Sequence, residues 1–109
     1  MAPDPPKPLY STRADDPEVE ERIDRFVVTL GETVDDLQDA EAAGSLEDLA
    51  ERARALAASA EELGYAPLTE VAARIVAACG ERNPEAARKG VVEATELAQR
   101  IRRGHRSAA

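Results

Sequence analysis

One histidine, one cysteine and a solitary arginine on an alanine-rich stretch are the residues of this 109-residue chain with the most chemistry to offer. A single imidazole, His105, excludes a multi-histidine metal site. A single thiol, Cys79, excludes an internal disulfide and a cysteine-rich metal cluster. His105 follows Gly104 in the basic end RRGHRSAA, past the last expected helix, where a surface imidazole has nothing to orient it as nucleophile or base. Cys79 falls on the apolar stripe of its helix and reads as a small core hydrophobe, not a reactive thiol. The 22 carboxylates are scattered, with no spacing that pairs a general acid with a base. The chain is therefore read as no enzyme, with no metal and no cofactor.

The arginine is Arg54, in ARALAASAEELGY, residues 53–65. At about 100° per residue the apolar positions Leu46, Leu49, Ala53, Leu56, Ala60 and Leu63 gather on one side, and Arg54 lies more than about 90° from their centre. Ala50, Ala57 and Ala58 surround it, with Glu61 two turns further on. A surface helix ordinarily fills such positions with Glu, Lys and Arg. Small residues around one long cation are easily covered by another protein, since little side-chain entropy is lost and backbones can approach closely. The expected partner-binding surface is Ala50, Arg54, Ala57, Ala58 and Glu61. The plainer reading is that the alanines serve helix propensity alone.

The elements that must hold this surface are helical. Alanine is abundant, aromatics make up only 3%, and tryptophan is absent, which favours close-packed helices over sheets. Four of the 7 prolines lie in the first eight residues, so residues 1–14 form an arm that is not helical and is expected to be poorly ordered or laid extended over the surface. Asp16 caps a first helix with Pro17 in its first turn, and Val19, Ile23, Phe26, Val27, Leu30, Val34 and Leu37 recur at steps of three and four. Gly31 interrupts this stripe, and the pattern leaves open whether it divides the segment into two helices; a helical extension at the N-terminal end of the bundle is expected.

Ser45, with Asp48 three residues on, opens a second helix that stops at Gly64. A third starts around Pro67, buries Leu68, Val71, Ala72, Ile75 and Cys79, and ends before Gly80. Asn83 and Pro84 open a fourth that buries Ala87, Val91, Ala94, Leu97 and Ile101 and ends before Gly104. Short connections make successive helices antiparallel. The expected fold is all-α, an up-and-down antiparallel four-helix bundle over residues 15–104, with a short basic tail at 105–109.

Charge narrows the partners. Residues 1–80 carry 7 Lys/Arg against 18 Asp/Glu and residues 81–109 carry 7 against 4, for a net charge of −8. That balance argues against nucleic acid and against an anionic membrane surface. No apolar run is long enough to span a bilayer, and the opening MAPDPPKPLY lacks the apolar core of a signal peptide. A cytoplasmic location is the expectation.

The segment LEDLAERARALAASAEELGYAPL resembles the signature helix of histidine phosphotransfer (HPt) domains, whose pattern is Ala-His-x-Leu-Lys-Gly-Ser, then a small residue and, shortly after, a glycine. Ala53, Leu56, Ser59, Ala60 and Gly64 match, and the likeness extends over roughly residues 15–103. Arg54 stands where the family has its phosphoacceptor histidine, Ala57 where it has lysine, and Ala58 where it has glycine. Phosphotransfer needs a neutral imidazole nitrogen to attack an aspartyl phosphate, whereas a guanidinium stays protonated and only donates. The resemblance thus implies a phosphorelay module that cannot accept phosphate at the usual site. Its implied partner is a response-regulator receiver domain or a hybrid sensor kinase, docked by a monomer with Arg54 facing an acidic pocket. Self-association of the alanine-rich face, as a dimer, is the alternative. An active phosphotransfer protein would need a histidine the motif does not contain.

Overall fold

The computed structural model describes residues 7–108, with side chains through His105. Four helices, α1 Pro17–Ala42, α2 Leu46–Glu62, α3 Ala66–Gly80 and α4 Pro84–Ala108, form an all-helical bundle. Each packs on its neighbours in the cyclic order α1, α2, α3, α4, and α2 and α3 pack most extensively. Three of the four helices start where a side chain caps them, and α3 starts behind Tyr65 with Pro67 in its first turn and no side-chain cap. Asp16 accepts from the Glu18 amide at 3.0 Å, Ser45 from Asp48 at 3.4 Å and Asn83 from Ala86 at 3.1 Å. No helix among the described residues is long and apolar enough to cross a membrane.

One contiguous core runs the length of the bundle. Leu30 and Leu37 of α1, Leu49 of α2, Leu68 and Ile75 of α3, and Ile101 of α4 are its largest fully buried side chains. Tyr65 is also buried, at the turn between α2 and α3, and stacks on Phe26 of α1 with ring centroids 5.6 Å apart. Its hydroxyl pKa is raised by burial and by the nearby carboxylate of Asp24.

Two expectations are corrected, the separate N-terminal helical extension and the stop at Gly104. Gly31 does not divide the first segment, and there is no separate N-terminal extension: α1 is one helix of 26 residues. A glycine costs a helix about 1 kcal/mol, which the seven buried residues along α1 outweigh several times over. The space a methyl would occupy at Gly31 lies 3.5 Å from the guanidinium of Arg102 on α4.

Gly104 does not stop α4 either. The helix continues to Ala108, so His105 is helical and half-buried instead of lying in a tail. The requirement met at Gly104 is close approach: an added Cβ would sit 2.5 Å from the carbonyl oxygen of Leu9.

Residues 7–14 of the arm lie against the bundle, while residues 1–6 lie outside the described residues. The Leu9 amide donates to the Arg100 carbonyl at 2.9 Å and Arg100 Nε to the Lys7 carbonyl at 3.0 Å. The buried Ser11 hydroxyl donates to the Leu63 carbonyl, and the Thr12 amide donates to Gly64 at 2.9 Å. The arm thereby ties α4 to the turn between α2 and α3.

Candidate functional site

Arg54 projects from the middle of α2 because the apolar stripe below it is fixed by α1 and α3. Leu49, Ala53, Leu56, Ala60 and Leu63 are all buried. Arg52, two residues before Arg54, spans 3.2 Å to Asp48 on its own helix and 3.4 Å to Asp36 on α1, pinning the α1 side of α2. Arg54 is exposed and has no ion pair or hydrogen bond with any described residue. Arg22, Arg25, Arg74 and Arg88, by contrast, each hold a carboxylate.

The five residues of the expected surface separate into two groups. Arg54, Ala58 and Glu61 are exposed. Ala50 and Ala57 are half-buried and pack against the core. On the wheel these two lie between the core stripe and Arg54, on the side turned to α3. Part of the bareness of α2 is thus a packing requirement, since small side chains let the two shortest helices approach closely.

Arg54 overlooks a groove of about 520 Å³ between the start of α2 and the end of α3. Leu46, Ala50, Val76 and Cys79 supply its apolar lining, and Arg54, Arg82 and Glu47 its charges. Cys79 is 6% exposed; burial pushes its thiol pKa up, and the guanidinium of Arg54 opposes that rise. The thiol stays protonated and chemically quiet. Arg82 went unnoticed in the sequence, although a signal was present. The turns after α1 and α2 place Gly44 and Gly64 immediately before the next N-cap, whereas the turn after α3 places Arg82 there, at φ 55°.

His105 lies far along α4 from this groove, with Nε2 at 3.5 Å from Asp24 on α1. Imidazole and groove do not share a site. Among the described residues no three His, Cys, Asp or Glu side chains are grouped to hold a metal ion. At the groove, the guanidinium groups of Arg54 and Arg82, neither paired with a described residue, stand over an apolar floor, where their fork of N–H donors suits a carboxylate or phosphoryl group. Comparison with protein-family models, with curated proteins and with solved structures returned no match.

Proposed function

We propose that this chain is an HPt-like docking module of a two-component phosphorelay, one that binds response-regulator receiver domains through α2 without accepting a phosphoryl group. The observation that carries the reading is Arg54: exposed, without a partner among the described residues, and standing at the motif position of the phosphoacceptor histidine. In a chain with 22 Asp and Glu, a cation left without a carboxylate on a face of small residues is available to an acidic pocket on a partner. Docked there, it would compete with phosphotransfer proteins for the receiver or hold one receiver state.

Self-association through the alanine face is the weaker reading. Ala50 and Ala57 already face α3, which leaves Ala58 as the one exposed alanine of the set.

The test is phosphoryl uptake beside binding. Incubated with phosphorylated receivers or an active hybrid kinase, the protein takes up no acid-labile phosphate, because arginine offers no lone pair to attack the acyl phosphate. Joint Arg54→His and Ala57→Lys substitution restores measurable uptake, the lysine stem lying along the α2–α3 seam with its ammonium in water. Phosphohistidine at His105 of the unmodified protein would overturn the proposal.

A further inference from the structure

The three interhelical turns share one hydrogen-bond pattern. At the end of α1, the Gly44 amide reaches the Glu41 carbonyl at 3.0 Å and the Ser45 amide the Ala40 carbonyl at 3.1 Å. At the end of α2, Gly64 reaches Glu61 at 3.3 Å and Tyr65 reaches Ala60 at 2.8 Å. At the end of α3, Arg82 reaches Cys79 at 3.1 Å and Asn83 reaches Ala78 at 2.9 Å. This turn requires a left-handed residue, φ 72° at Gly44, 81° at Gly64 and 55° at Arg82. Arg82 is the only non-glycine with positive φ among the described residues. A side chain is kept where the same fold twice uses none, and it lines the groove that Arg54 overlooks.

We infer that Arg82 is a second anchoring cation, so that the groove between α2 and α3 receives an acidic loop of the docked protein, one carboxylate or phosphoryl group meeting Arg54 and another meeting Arg82. The inference rests on the docking reading and extends it to a named partner chemistry. Charge complementarity supports the occupant. Neither guanidinium has a partner within the described residues, and Glu47 is the only acid among the groove's lining. A cation at the end of α3 also complements that helix's dipole, but such a role is served by a side chain in water and predicts no effect on binding.

The experiment compares the unmodified chain with Arg82→Gly and Arg54→Glu, titrated against the receiver domains encoded in the same genome. Arg82→Gly restores the residue used at the other two turns, so the variant folds. Its urea midpoint should stay close to that of the parent chain while receiver affinity falls roughly tenfold and becomes less sensitive to salt. Arg82→Gly binding like the parent while Arg54→Glu weakens binding would overturn the second anchor and leave the docking module standing. A parent chain that binds no receiver would overturn both.

Discussion

Replacing Gly104 by alanine sets a local gain against a specific loss. Inside α4 the change should add about 1 kcal/mol of helix stability. The new Cβ would sit 2.5 Å from the Leu9 carbonyl oxygen, 3.2 Å from the Leu9 carbonyl carbon and 3.3 Å from the Tyr10 ring. Reaching ordinary contact at 3.4 Å requires the Leu9 carbonyl to retreat by about 0.9 Å, enough to break the bond from the Leu9 amide to Arg100. Release of the arm loses that bond and the one from Arg100 to Lys7, about 1 kcal/mol each, together with roughly 1 kcal/mol from half-buried Leu9. The net expectation is a loss of about 1–2 kcal/mol, or roughly 4–16 °C in Tm for a domain of this size. Urea unfolding gives the net value, and amide hydrogen exchange gives its origin, because the Leu9 amide loses protection when residues 7–9 detach while Thr12, bonded to Gly64, keeps it. A variant stabilised by the full helix gain, with Leu9 still protected, would refute the close approach as the reason for glycine here.

The same substitution should act with opposite signs at two other helical glycines. Gly31→Ala meets only the flexible end of Arg102 at 3.5 Å and should stabilise by about 0.5–1 kcal/mol, whereas Gly90→Ala places Cβ 2.5 Å from Cγ1 of buried Ile75 and should destabilise by about 1–3 kcal/mol; thermal unfolding of the pair reads the difference. The Asp16 carboxyl pKa is held below its ordinary value by the Glu18 amide first and by Arg13 second. Its stabilising contribution is therefore present above the unfolded-state carboxyl pKa and is lost as pH falls through the depressed folded value. Asp16→Ala should remove that part of the acid-induced loss of stability, measured as the urea midpoint against pH.

The fold was legible because its signals are local and redundant. Asp16, Ser45 and Asn83 each combine a capping side chain with a period-3.6 apolar stripe, and the stripes from Val19 to Ile101 are the core. What escaped was set by tertiary contact. Gly31 and Gly104 look like breaks, yet the buried stripe of α1 carries the helix through the first, and the second makes room for the backbone of Leu9. Nothing local marks Tyr65 for burial, since its place depends on Phe26 arriving from α1. The outward position of Arg54 followed from periodicity alone. The groove beside it did not, because its second wall comes from Val76, Cys79 and Arg82 on a different helix.

The central claim is that Arg54 on α2 meets a receiver domain, and a chemical-shift footprint tests it most directly. Titration of the labelled protein with a bound receiver should move signals of Arg54, Ala58 and Glu61, with Ala50 and Ala57 at the α2–α3 seam, while Val28 and Val92 on the outer surfaces of α1 and α4 stay in place. Arg54→Glu should weaken the complex at least about tenfold, since it removes a charge-assisted contact of about 1.5–3 kcal/mol and sets like charges together. A footprint elsewhere on the bundle, or an affinity that Arg54→Glu leaves unchanged, would contradict the account.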